Sequence, residues 1–159
     1  MVRVIIVSGS VCTGKTILAK AIAAELGFRY INGNDVIKKY NLTEGFDDRR
    51  ECQVVDEDKF AAKLVEIIKS SSGGIVIDSH MSHFIPSENV DKCIITKCDL
   101  KVLKLRLRER GYDEAKVREN LEAEIMDVCF NEAEDLDHDI IVINTTQGFN
   151  IKTIVQNIG

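Results

Sequence analysis

Residues 9–16 read Gly9-Ser10-Val11-Cys12-Thr13-Gly14-Lys15-Thr16, which matches G-x-x-x-x-G-K-[ST]. The pattern is short, and its setting is what constrains the fold. Val2 to Val7, directly before it, is a run rich in β-branched residues, as a strand buried on both faces requires. Thr16 to Leu26, directly after it, sets Leu18, Ala19, Ile22, Ala23 and Leu26 on one helical side and stops at Gly27. A strand, a glycine loop and a helix in that order make an anion cup. Successive backbone N–H groups surround a phosphate, and the helix N-terminus adds positive potential. Lys15 would place its charge on the β- and γ-phosphates of a nucleotide, and Thr16 would offer its hydroxyl to Mg²⁺.

The rest of the chain repeats the alternation of apolar runs and helical patterns. Phe28–Ile31 reads as a second strand and Asp35–Tyr40 as a short helix. Residues 41–57 are polar and read as an irregular, mobile flap. Asp58–Lys69 is a helix with Phe60, Leu64, Ile67 and Ile68 apolar. Gly74–Asp78 (GIVID) and Lys92–Lys97 (KCIITK) are buried strands, and Asp99 caps a helix to about Arg110. Asp113 starts one further helix to about Ala133, Ile140–Asn144 is the last strand, and Asn150–Ile158 closes the chain as a helix. The pattern predicts an α/β domain spanning residues 1–159, with a five-stranded parallel sheet covered by helices on both faces. Ligands of such sheets sit at the carboxyl ends of the strands.

Composition narrows the partners. The chain has 159 residues, a net charge of −5, no Trp and only 6% aromatic residues. That excludes a general polyanion binder and an aromatic base-stacking platform, so sequence-specific nucleic-acid binding is not expected. A local basic cluster, Lys97, Lys101, Lys104, Arg106, Arg108 and Arg110, fits a small anion better than a long one. The cysteine count is an odd five without a C-x-x-C pair, and no apolar run is long enough to span a membrane. The expectation is a cytoplasmic protein with reduced thiols.

Two further sites carry chemistry. Asp78 closes an all-apolar strand, so it emerges beside the phosphate loop if the two strands are neighbours, where a Mg²⁺ ligand belongs. His80 follows two residues later and would emerge on the same side if the chain stays extended, able to orient a water or a leaving group. His83 reads as a surface-loop residue. Arg106 and Arg110 share a helix face and can clamp a triphosphate, whereas Arg108 points elsewhere and reads as a surface ion-pair residue.

In one order the chain carries the phosphate loop, YIN at 30–32, Asp35, VDED at 55–58, IVIDSH at 75–80, Pro86, RLRERGY at 106–112 and NLEAEI at 120–125. Nearly the whole chain thereby resembles the atypical adenylate kinase family, also called coilin-interacting nuclear ATPase protein, whose fold is a P-loop nucleoside monophosphate kinase. The resemblance implies adenylate kinase and ATPase activities, ATP with Mg²⁺, AMP as acceptor, and assistance to small ribosomal subunit maturation through one of its proteins. Carried over by position, Cys12, Gly14, Lys15, Thr16 and Ile17 would contact ATP, with Arg106 beside them. Residues about 32–55 would form the monophosphate-binding flap and about 109–119 a short lid, with Arg110 touching ATP. Asp78 and His80 would be the D-x-H pair, and Lys15, Asp78, His80 and Arg110 would be the catalytic set, with Thr16 and Asp78 on the metal.

The chain departs from the family pattern at four places. Val11 and Cys12 stand in the loop for Pro and Gly, Asn34 for Gly, and Lys38 for an arginine. Lysine lacks the bidentate fork that grips a monophosphate, which favours ATP hydrolysis over AMP phosphorylation. The rival reading is an ATP-driven assembly factor with incidental kinase activity. A small-molecule kinase such as shikimate or nucleoside kinase lacks a recognisable acceptor-site base here.

Overall fold

In the computed structural model, which describes residues 3–47 and 52–159, the loop octet joins β1 (Val4–Gly9) to α1 (Lys15–Leu26). β2 (Arg29–Asn32) runs directly into α2 (Gly33–Lys39). Next come β3 (Thr43–Asp47), β4 (Cys52–Val55), α3 (Glu57–Ser70) and β5 (Ile75–Asp78). Short 3₁₀ turns at Ser82–Phe84 and Ser87–Asn89 lead to β6 (Lys92–Lys97). The chain ends with α4 (Leu100–Glu109), α5 (Glu114–Ile125), α6 (Val128–Asp135), β7 (Ile140–Asn144) and α7 (Ile151–Ile158).

The five-stranded sheet is parallel, as the alternating pattern predicts, and its strand order is β2-β5-β1-β6-β7. β1 is central, and every one of its residues is buried. Successive strand side chains point to opposite faces, so this run feeds two cores. Val4 and Ile6 join Phe60, Leu64, Ile77 and Ala133 on one face. Ile5 and Val7 join Leu18, Ile22 and Ile154 on the other. Burying each of these Ile and Leu side chains stabilises the fold by about 1.5–3 kcal/mol. Among the described residues no helix is long and apolar enough to cross a membrane.

Three expectations need correction, and two fall outside the described residues. Val2, read as the start of the first strand, lies outside the described residues, as do residues 48–51 of the flap. The described part of residues 41–57 is not irregular: β3 and β4 pair antiparallel, with a bulge between Thr43 and Gly45. A short two-stranded ribbon leaves little pattern in the sequence. The single helix expected over 113–133 is broken into α5 and α6 at Asp127, which adopts φ 51°. Neither glycine nor proline marks that break, where the Asp127 carboxylate pairs with Lys97 from the end of β6. Asp99 sits at the N-cap of α4, but its side chain makes no capping hydrogen bond.

Gly33 shows how tightly the β2–α2 junction packs on the end of β5. A Cβ there would lie 2.6 Å from the Ser79 Cβ and 3.0 Å from the Phe60 ring. Gly33→Ala is expected to destabilise the fold by about 1–3 kcal/mol, the usual cost of overpacking. Gly73→Ala, with nothing within 4 Å of its new Cβ, is the control. Thermal melting of the two variants checks this, and equal melting points would contradict the packing at Gly33.

Candidate functional site

The loop after β1 curls because two of its residues adopt left-handed backbone: Cys12 at φ 65° and Gly14 at φ 86°. Gly14 accepts that conformation readily, whereas a Cβ makes it cost Cys12 roughly 1–2 kcal/mol. Side chains hold the curl in place. The Thr13 hydroxyl donates to the Ser10 carbonyl at 2.6 Å, and the Thr145 hydroxyl donates to the Thr13 carbonyl at 2.5 Å. From α4, Arg106 donates to the Cys12 and Thr145 carbonyls at 3.4 and 3.2 Å. Arg106 therefore braces the loop backbone rather than lining the cleft.

Lys15 is drawn back over the loop, its Nζ donating to the Ser10 carbonyl at 2.9 Å. Enclosure lowers its pKa from the ordinary lysine value, against the Asp78 charge, which raises it. Register brings the acid to the loop: β5 is the direct neighbour of β1, and Asp78 sits opposite Val7. Only 4% of Asp78 is exposed, and its Oδ2 accepts from both the Thr16 and the Tyr30 hydroxyls at 2.7 Å. Burial and then the Asp78 carboxylate push the Tyr30 phenol up to about 12, so Tyr30 stays a donor.

These residues open onto a cleft of about 700 Å³ lined by Cys12, Lys15, Thr16, Asp78, His80 and Arg110, among others. Asn32, Asn34 and Ile37 bound it on the α2 side, and Tyr112 and Lys116 bound it from the turn before α5 and its first turn. A larger and more open hollow of about 920 Å³ lies past β7, between Asp99 and Lys152. It contains no residue of the phosphate loop and neither Lys15 nor Asp78, so the smaller cleft holds the chemistry.

His80 reaches the cleft by a different path from the one expected. The strand ends at Asp78, and the chain turns at Ser79, whose carbonyl accepts from the Ser82 amide at 3.1 Å. The His80 ring meets cleft solvent, yet the surrounding walls desolvate it and Lys15 and Lys116 add positive charge. Its pKa falls to about 4, so the imidazole is neutral at pH 7. His83 is not a surface residue: it is 1% exposed and shares a 2.7 Å hydrogen bond with the Ser8 hydroxyl through Nδ1. Its place in the core follows from the 3₁₀ turn, which the sequence pattern does not reveal.

Arg110 is exposed at the mouth of the cleft and donates to the Cys12 sulfur at 3.5 Å. Arg108 pairs with Glu114 on the surface, Nε to Oε1 at 2.9 Å. Ile17 is 71% exposed and does not line the cleft. Residue patterns alone missed Tyr30, Lys116 and the buried Glu124. Tyr30 sits in the YIN run and Glu124 in the NLEAEI run, and the role of Tyr30 follows from β2 lying beside β5.

The residues present fit a magnesium ion held jointly with phosphate oxygens. Thr16 and Asp78 supply a hydroxyl and a carboxylate within 2.7 Å of each other. Among the described residues no group of three or more His, Cys, Asp or Glu gathers to hold a metal without a ligand. Cys12 is half-buried and lines the same cleft, while Cys93 is buried and its thiol is pushed up to about 12 by burial. Alkylation is expected to modify Cys12 well before Cys93, and Mg-ATP is expected to slow it. Mass-spectrometric labelling checks both, and equal Cys12 labelling with and without nucleotide would contradict this placement.

Three comparisons bear on these residues. A family model described as an AAA domain matches residues 5–127. The chain is similar to the adenylate kinase isoenzyme 6 homolog of Caenorhabditis elegans, with 36% identity over 148 residues, covering 90% of this chain and 81% of the relative. It is also similar to the adenylate kinase isoenzyme 6 homolog of Schizosaccharomyces pombe, 39% identical over 139 residues and covering 87% and 78%. Among solved structures, shikimate kinase from Acinetobacter baumannii in complex with shikimate matches with a TM-score of 0.65. That match covers 99% of this chain and 91% of the other at 15% identity, which shows a shared fold alone.

Proposed function

The chain belongs to the adenylate kinase-like family of P-loop AAA domains that includes the isoenzyme 6 homologues, and we propose that it transfers the γ-phosphoryl group of ATP to AMP. The observation that carries this reading is the convergence of Lys15, Thr16 and Asp78 in one cleft, with His80 and Arg110 on its walls. In the reaction the bond from the γ-phosphorus to the β,γ-bridging oxygen breaks, a bond to an AMP phosphate oxygen forms, and two ADP result. When water attacks instead, the products are ADP and inorganic phosphate.

Each side chain has a task. The amides around Cys12 and Gly14 hold the β-phosphate, and the Lys15 ammonium leaves the Ser10 carbonyl for the β- and γ-oxygens as the nucleotide enters. Arg110 offsets charge from the lid side. Thr16 and Asp78 would hold Mg²⁺, which would supply positive charge against the phosphate oxygens. Tyr30 keeps the Asp78 carboxylate aimed through its own hydrogen bond. A neutral imidazole at His80 accepts a hydrogen bond from an attacking water.

The finer reading is that turnover serves small ribosomal subunit maturation through a ribosomal protein, in the cytoplasm. It draws on the resemblance in motif order, and on Cys12 and Lys38, which favour hydrolysis over AMP phosphorylation. Product analysis with a nucleotide panel tests the proposal. ADP should form from ATP, faster with AMP present, and no AMP-dependent ADP from the folded protein would overturn the kinase reading. His80→Ala is expected to cut hydrolysis ~10²-fold with ATP affinity little changed. A raised KM for AMP with intact hydrolysis would instead make His80 an acceptor-holding group.

A further inference from the structure

Glu124 is an acid buried at the far end of the lid helix. Its side chain is only 4% exposed, and the chemistry described above does not use it. An isolated buried carboxylate is costly, so its partners define what it does. Oε1 accepts from the Lys97 Nζ at 2.8 Å and from the Ser10 hydroxyl at 3.2 Å. Oε2 accepts from the Cys98 backbone amide at 2.9 Å. One carboxylate thus joins three pieces of the molecule: helix α5, the end of strand β6, and the phosphate loop.

Lys97 makes this joint rigid. Besides the carboxylate, its Nζ reaches the Glu124 carbonyl at 3.0 Å and the Asp127 carboxylate. It thereby adds a second donor to the Glu124 carbonyl, which the Asp127 amide also reaches, at the C-terminal end of α5 where a cation is favoured, and it pairs with Asp127 in its left-handed conformation. Burial opposes the charge of Lys97, but Asp127 and Glu124 outweigh it and keep its pKa above the ordinary lysine value. The helix break at residues 126–127 is part of the same device.

The other end of α5 faces the nucleotide cleft. Lys116 and Asn120 line the cleft at positions 8 and 4 before Glu124, so the three share one helix face. At the loop end, Ser10 donates its hydroxyl to Glu124 and offers its carbonyl to both Lys15 and Thr13. Two hydrogen bonds therefore separate the lid helix from the Lys15 ammonium.

We propose that Glu124 is a positioning residue that couples the lid helix to the phosphate loop, setting Ser10, and through it Lys15, in register with the lid that closes over the nucleotide. This rests on the phosphoryl-transfer reading for its effect on turnover, but not for its effect on the loop itself. ATP is held mainly by the backbone cup, so loss of the coupling misplaces Lys15 without removing the cup. The expected signature is a fall in kcat larger than any rise in the KM for ATP.

Ser10→Ala removes only the loop end of the joint and leaves Lys97 and Cys98 on Glu124. It is expected to lower kcat about 10-fold, with the KM for ATP within about 2-fold and the melting point close to that of the unmodified chain. Glu124→Gln is expected to give a similar loss, and the double variant no more than the larger single loss, because both cut one connection. Amide hydrogen exchange is followed alongside, in the absence of nucleotide. Both variants should speed exchange of residues 10–14 and leave β1 and β5 unchanged. Ser10→Ala with unchanged kcat, or losses that multiply in the double variant, would overturn the coupling. Unchanged loop exchange in both variants would overturn it even if the unmodified chain turned over no nucleotide. That last result in the unmodified chain would count against the kinase reading instead.

Discussion

Lys15→Ala is expected to abolish nucleotide turnover while the fold survives. The ammonium belongs to the phosphate loop itself, and its resting contact is a bond to the Ser10 carbonyl at 2.9 Å. Removing one preorganised donor to a developing negative charge costs on the order of 10²–10³ in kcat. The structural cost is small, because enclosure already disfavours the charged form of Lys15 and the Ser10 carbonyl keeps its bond from Thr13. ADP formation and thermal melting measured together test this. Turnover preserved in a protein of unchanged melting point would overturn the phosphate-loop assignment.

Asp78 yields the second large effect, and here charge and hydrogen bonding separate cleanly. Asp78→Ala strands the Thr16 and Tyr30 hydroxyls in a partly buried site, which costs about 1–3 kcal/mol of stability, and it removes the anionic ligand as well. Asp78→Asn retains an oxygen that accepts from one or both hydroxyls, so most of the stability returns. Turnover does not return with it, because a neutral amide is a poor partner for Mg²⁺. Both variants are expected to lose ~10²-fold or more in kcat and to need more Mg²⁺, whereas only the alanine variant melts lower. A magnesium titration of ADP formation separates the outcomes. An asparagine variant with normal activity at ordinary Mg²⁺ would show that Asp78 serves only as a hydrogen-bond acceptor.

Much of the architecture was legible in the chain because it depends on local periodicity. The run of apolar residues at 4–7 can be satisfied only by burial on two faces. GIVID and KCIITK repeat that demand, and crossover helices between such strands impose a parallel sheet. The loop octet likewise announces a phosphate cup, since its glycine and lysine meet local backbone and charge requirements. Asp78 was legible for the same reason: an acid at the carboxyl end of a buried strand has one place to emerge.

What tertiary structure alone decided are contacts between residues far apart in sequence. The β5–β1 pairing turned Asp78 from a strand-end acid into the partner of Thr16, and β2 on the other side of β5 delivered Tyr30. The break after α5 carries no glycine or proline, and the Lys97–Asp127 pair beside it joins residues 30 apart in sequence. His83 looked like a loop residue until the 3₁₀ turn folded it against Ser8. Glu124 belongs to the NLEAEI run that carries the resemblance, but nothing in that run shows that its carboxylate is buried against Lys97 and Ser10. Periodicity reports which face of an element is apolar, but a buried ion pair depends on where two elements meet, and that place is set only when the whole sheet has packed.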